Sequence, residues 1–93
     1  MATQARASHI LVKTEADAQR MMKRINDGED FAEVAKRFSS CPSGKKGGDL
    51  GWFGKGQMVP EFEQVAFENE PGKVVGPVKT QFGYHVIKVT GKK

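Results

Sequence analysis

The sequence predicts an α+β domain with one small, mostly antiparallel sheet packed by helices. Three observations carry that expectation. Two N-terminal stretches place apolar residues at helical spacing, and the last strand alternates in period two. Between them lies Ser39–Asp49, rich in Ser, Gly, Pro and Lys, which breaks the periodicity. The resulting order is strand, helix, helix, loop, strand, helix, strand, strand. The 93 residues are read as one domain over 1–93 with an ordered core over about 6–90. That length supports a hydrophobic core without disulfide or metal staples.

Ala7–Val12 is β-branched and apolar, and reads as the first strand. Thr14 is a good N-cap with Asp17 three residues on, and Ala18, Met21, Met22 and Ile25 follow at i, i+3, i+4 and i+7. Asn26-Asp27-Gly28 stops this helix. Asp30 caps a second helix whose stripe is Phe31, Val34, Ala35 and Phe38. Ser39–Asp49 is expected to be loop or one short turn, and Leu50–Phe53 a short strand. Pro60 suits the first turn of a third helix, with Phe62, Val65 and Ala66 inward and Pro71-Gly72 ending it. Val74–Val78 is expected at a sheet edge, because Pro77 has no N–H to donate. Tyr84–Val89 is the final strand, and fraying is expected at the first few residues and at Gly91–Lys93.

Apolar residues form 38% of the chain and charged residues 28%. That is the balance of an ordinary globular domain. No apolar run reaches the roughly 18 residues that span a bilayer. No apolar stretch follows Arg6 to suggest a secretory signal. One cysteine, Cys41, excludes an internal disulfide and points to a reducing compartment, with the cytoplasm as the expected address. The net charge is +4, from 15 basic and 11 acidic residues. That charge is scattered along the chain instead of gathered on one helix or face, which argues against a nucleic-acid partner.

The two histidines carry the most chemical information. His9 shares a strand face with Leu11, and His85 shares one with Ile87 and Val89. A single histidine on an apolar face is most often structural. Two of them, in the first and last strands, could hydrogen-bond as neutral rings if those strands are neighbours. Two histidines and one cysteine without CxxC or HxxxH spacing are too few for a metal site, so no metal or other cofactor is expected. Cys41 precedes Pro42 in a loop, a poor context for an activated nucleophile. Gly44–Gly51 lacks GxxxxGK[ST] and reads as a turn-rich connection, not a phosphate loop. Leu50, Met58, Phe62 and Phe82 would fill a core or wall a small apolar pocket.

Five stretches taken together resemble the parvulin family of peptidyl-prolyl isomerases. They are Ser8–Val12, Cys41–Gly44, Gly47–Gly51, Gly56–Pro60 with Phe62, and Thr80–Ile87. The resemblance covers nearly the whole chain in order. It implies a four-stranded antiparallel sheet surrounded by four helices, one of them a short turn around Cys41–Lys46. It also implies that His9 and His85 are the family's paired histidines beneath the active site, and that Cys41 occupies its cysteine-or-aspartate position. Leu50, Met58 and Phe62 match the walls of the proline pocket. Thr80 matches a hydroxyl bonded to the histidine pair, and Phe82 a residue of the substrate groove. No cofactor is implied.

The family's reaction fits such a site. Rotation about a peptide bond has a barrier of roughly 18–20 kcal/mol, so X-Pro exchange takes about tens to hundreds of seconds unaided. Reaching milliseconds requires removing about 6–7 kcal/mol. An apolar pocket that desolvates the carbonyls favours the twisted, less polar state, and a donor such as the Val59 N–H could hold the carbonyl beyond the proline. His9, Cys41, His85 and Thr80 are then expected to act as a tuned polar network. The paired-arginine loop of phosphate-specific parvulins is missing, because Lys13 runs directly into the cap at Thr14. The expected function is a stand-alone, monomeric prolyl isomerase assisting folding, with proline-containing peptides and unfolded or nascent proteins as partners. The alternative is a non-catalytic peptide-binding or chaperone module on the same fold.

Overall fold

The computed structural model describes residues 3–93. Strands β1 (Gln4–Val12), β2 (Asp49–Gly54), β3 (Val74–Thr80) and β4 (Gly83–Lys92) form one antiparallel sheet in the order β2-β1-β4-β3. Helices α1 (Glu15–Asn26), α2 (Phe31–Phe38) and α3 (Pro60–Glu68) and a 3₁₀ turn at Pro42–Lys46 complete it. The first and last strands are therefore central neighbours, and β3 with Pro77 lies at an edge, as its sequence requires.

Successive residues of a strand point to opposite faces, and both faces of this sheet are covered. Ile10, Val12 and Val86 pack beneath Ala18 and Met21 of α1 and Phe31 and Val34 of α2. Ala5, Ala7 and Ile87 pack with Phe53 of β2 beneath Phe62 and Ala66 of α3. The helix starts follow the expected chemistry. Thr14 accepts from the Asp17 N–H at 3.1 Å, and Asp30 accepts from the Glu33 N–H at 3.3 Å. Each cap satisfies a donor that the first turn leaves free. Pro60 occupies the first turn of α3, where its missing N–H costs nothing.

Two expectations are corrected. Gly91–Lys93 does not fray: Lys92 pairs with Ala5, and the N–H groups of Thr3 and Gln4 both donate to the Lys93 carbonyl at 2.8 Å. The Lys92 ammonium also donates to the Phe67 carbonyl at 2.7 Å. The end of α3 is a favourable place for a cation. Of the first few residues, also expected to fray, Gln4 and Ala5 are paired within the sheet, and Met1 and Ala2 lie outside the described residues. Phe38, placed in the α2 core stripe, is 38% exposed. It is the last residue of α2. There the Arg24 guanidinium lies 4.8 Å from its ring, a cation–π contact.

Gly48 joins the 3₁₀ turn to the sheet. Its carbonyl accepts from the His9 N–H at 2.9 Å. Its φ is +84°, and a Cβ there would stand 2.3 Å from the His9 carbonyl oxygen. Gly28, at φ +107°, has open space around it. Gly28→Ala is expected to cost about 1 kcal/mol through backbone strain alone. Gly48→Ala adds a clash with backbone and should cost about 3 kcal/mol or more. Urea unfolding midpoints of the two variants test that ranking, and equal losses would contradict it.

Candidate active site

The register of β1 against β4 brings the two histidines together. His9 lies opposite Ile87 and Leu11 opposite His85, so the imidazoles are diagonal neighbours on the α3 face. Their Nδ1 atoms stand 2.8 Å apart with the rings nearly parallel, and the Phe62 ring meets both edge-on. His9 and His85 are 5% and 4% exposed, so this is a buried contact.

Each remaining ring nitrogen has its own hydroxyl. His85 Nε2 is 2.7 Å from Thr80 Oγ1, which accepts from the Phe82 N–H at 3.2 Å. His9 Nε2 is 3.2 Å from Ser43 Oγ, and Ser43 in turn stands 3.2 Å from Cys41 Sγ. The chain of contacts therefore runs Phe82–Thr80–His85–His9–Ser43–Cys41. One direction gives every N–H and O–H of these side chains a partner, leaving only the weak Cys41 S–H free within the chain: Thr80 O–H to His85, His85 Nδ1–H to His9, His9 Nε2–H to Ser43, and Ser43 O–H to sulfur. Reversing it leaves the Thr80 hydroxyl proton without a partner among these groups. Aligned donors of this kind polarise one another in a low-dielectric interior.

Both rings are held neutral. Burial pushes the His9 pKa from 6.5 down to about 4, and the neighbouring His85 adds to the effect. Burial lowers His85 as well. The Nδ1 atoms are 2.8 Å apart. Two imidazolium ions could not share that contact, whereas one N–H and one lone pair can.

Above this network lies a cleft of about 480 Å³, a size suited to a small ligand or a side chain. His9 and His85 form its floor; Leu50, Met58, Val59, Phe62, Phe82 and Cys41 form its walls. The model of the PPIC-type PPIase, or rotamase, domain matches residues 3–91. The chain belongs to the PPIC-type peptidyl-prolyl isomerase family, the parvulins.

Similarity to individual parvulin-type proteins is high. Over 89 residues the chain is 55% identical to the foldase protein PrsA of Geobacillus sp. (strain WCH70), covering 95% of this chain and 32% of that protein. Its fold superposes on the peptidylprolyl isomerase PrsA of Bacillus anthracis with a TM-score of 0.96 at 45% identity, covering 99% of this chain and 43% of that one. The parvulin NmPin of Nitrosopumilus maritimus matches over 98% of this chain and 99% of its own, with a TM-score of 0.87 and 42% identity. The chain thus spans about a third of the curated foldases it matches, and nearly the full length of that small parvulin.

Within this parvulin cleft, the residues expected from the sequence come together with one change of connection. Cys41 reaches His9 only through Ser43, to which the sequence pattern assigns no role. The available signal is its position two residues after Cys41, where the Pro42 turn carries its hydroxyl back toward the sulfur. Thr80 touches His85 but does not line the cleft, so it sits behind the ring. Leu11 and Gln57 also line the cleft, beyond the residues expected there. Alternation could have found Leu11, which shares a face with His9; Gln57 lies within the Gly56–Pro60 stretch that carries the resemblance, beside Met58. Among the described residues no hydrogen bond uses the Val59 N–H, leaving it available at the start of α3.

Neutral burial sets a pH dependence. The unfolded chain binds a proton at each histidine near pH 6.5, whereas folded His9 resists protonation until about pH 4. Stability is therefore complete above pH 6.5 and falls as the pH drops toward 4, by roughly 3 kcal/mol for His9 at most. Proton NMR titration of the imidazole Cε1–H signals should place the His9 midpoint near 4 in the folded protein. A midpoint at the ordinary value of 6.5 would remove the neutral-pair assignment.

Proposed function

We propose that this domain catalyses cis/trans rotation about X-Pro bonds in peptides and unfolded proteins, and so assists folding. The observation that carries the reading is an apolar cleft, open enough for a proline ring, laid over two buried neutral histidines. Leu50, Met58 and Phe62 grip the pyrrolidine ring and strip water from the flanking carbonyls. Desolvation favours the twisted state, which has lost amide resonance and polarity. The Val59 N–H holds the carbonyl after the proline while the one before it swings. No covalent bond forms or breaks, and no cofactor takes part.

The polar network acts beneath the substrate. Thr80 and Ser43 hold the two imidazoles in one orientation, and Cys41, half-buried at the cleft wall, ends the chain of donors at the swinging carbonyl. Phe82 is 63% exposed at the rim. It offers its ring to an apolar or aromatic residue before the proline. The name of the Geobacillus relative, a foldase, supports unfolded polypeptide as the partner class. The scattered positive charge supports no nucleic-acid role.

Among the described residues no helix is long and apolar enough to cross a membrane. The unpaired Cys41 supports the cytoplasm as the compartment. A chain from the structural work on the Campylobacter jejuni SurA-like chaperones PEB4 and periplasmic Cj1289 has the same fold, at 37% identity and a TM-score of 0.92 over 40% of that chain. The isomerase reading does not depend on the compartment.

Exchange spectroscopy on a Phe-Pro peptide tests this reading. Catalytic amounts of the domain should bring exchange from tens of seconds to milliseconds. Met58→Ala should cut kcat/KM about tenfold or more, since it empties one wall of the pocket. Binding without acceleration would replace the enzyme by the non-catalytic chaperone module.

His85→Asn is expected to lower kcat with little change in KM, because the ring lies under the reacting bond and not in the pocket walls. An unfolding midpoint measured alongside separates lost chemistry from lost fold. A change in KM alone would move His85 from the catalytic network to the binding surface.

A further inference from the structure

A second cleft, of about 310 Å³, adjoins the first between the last turn of α2 and the 3₁₀ turn. Lys36, Ser39, Ser40, Cys41, Pro42 and Lys45 line it. Ser40, Cys41 and Pro42 line the proline cleft too. A peptide that leaves the proline cleft over this segment therefore enters the second one.

Its chemistry is that of an anion site. Two lysines line it, and no carboxylate residue does. Among the described residues Lys36 is engaged only by Glu33, one turn earlier on α2, at 3.7 Å and largely in solvent. Such a pairing exchanges readily. Lys45 has no ion pair among the described residues. Ser39 Oγ already accepts from the N–H groups of Leu11 at 3.1 Å and Cys41 at 3.3 Å. Its hydroxyl proton is left to donate. The carbonyl end of α2 opposes an anion with about half a unit charge, and two full positive charges outweigh it.

We propose that this second cleft is a subsite for an acidic side chain of the bound polypeptide. The preferred substrates are then X-Pro segments that carry Asp or Glu within a few residues of the proline, on one side of it. This proposal rests on the isomerase reading for its kinetic expression, but the contact itself is a binding contact. It acts equally on ground and transition states, so it appears in KM and leaves kcat unchanged.

The test uses acetylated, amidated peptides with one Phe-Pro bond and a single Glu or Gln at each of four positions on either side. Blocking the termini ensures that any carboxylate effect comes from the side chain. At low salt, Glu should exceed Gln in kcat/KM by about 3- to 10-fold at positions on one side only. That ratio should fall to near one at about 0.5 M salt. It should also fall to near one in the Lys36→Gln, Lys45→Gln double variant, while the all-Gln peptide is turned over equally by both proteins. Equality of Glu and Gln at every position would overturn the proposal, as would an advantage that survives in the double variant. If no peptide is accelerated, the isomerase reading fails on its own. The Glu-to-Gln ratio in Kd, from chemical-shift titration of the same peptides, then decides the subsite separately.

Discussion

The pairing of the first strand with the last is the constraint from which the rest follows. β1 and β4 are separated by almost the whole chain, yet they form the centre of the sheet. Only one register places His9 diagonal to His85 on the same face. A slip by one residue would send one ring to the α1–α2 face, into the layer held by Ile10, Val12 and Val86. The apolar partners on both faces therefore specify the register, and the register specifies the histidine contact. Closing such a long-range pairing costs chain entropy, which the two covered faces must offset through burial.

Burying two imidazoles is tolerable only because every polar atom finds a partner. Among the described residues no buried side-chain nitrogen or oxygen lacks one. Thr80 and Ser43 are the means: each is a hydroxyl, able to give a proton on one side and accept one on the other. The two segments carrying them enter the sheet at opposite ends of the pair, Thr80 from the end of β3 and Ser43 from the 3₁₀ turn held by Gly48. The network thus ties the substrate cleft to the backbone at two places. Such fixed anchoring suits the proposed reaction, in which the substrate, not the protein, would rotate.

Much of this architecture is legible in the sequence because it rests on local signals. Thr14 and Asp30 announce their helices by side-chain capping, and Pro60 by its fixed φ. The histidines are marked by alternation, since period two assigns a face without knowledge of the partner strand. Ser43 is not legible, because its role depends on the approach of a turn to a strand 34 residues away in sequence. The ordered C-terminus is equally hidden: Gly91–Lys93 looks like a tail until Gln4 and Thr3 are placed beside it. Phe38 misleads for a related reason. Its spacing is that of a core residue, but it closes the last turn of α2 and its ring stays partly in solvent beside Arg24.

The geometry also separates this site from the cysteine–histidine pairs of nucleophilic enzymes. Such a pair works by moving the thiol proton to the imidazole, and the imidazolium is then held by its surroundings. Here Ser43 stands between sulfur and ring, so no direct transfer is available. The ring is also a poor base. Burial holds the His9 imidazole at about 4. A ring that resists protonation down to that pH is no acceptor for a thiol proton, so a covalent route lacks its general base. The burial that makes His9 useless as a base is what lets it lie against His85 as a neutral partner. In the proposed reaction the same desolvation, extended upward into the cleft, would weaken amide resonance in the substrate. Low dielectric would then be the shared cause of the silent histidines and of the rotation above them.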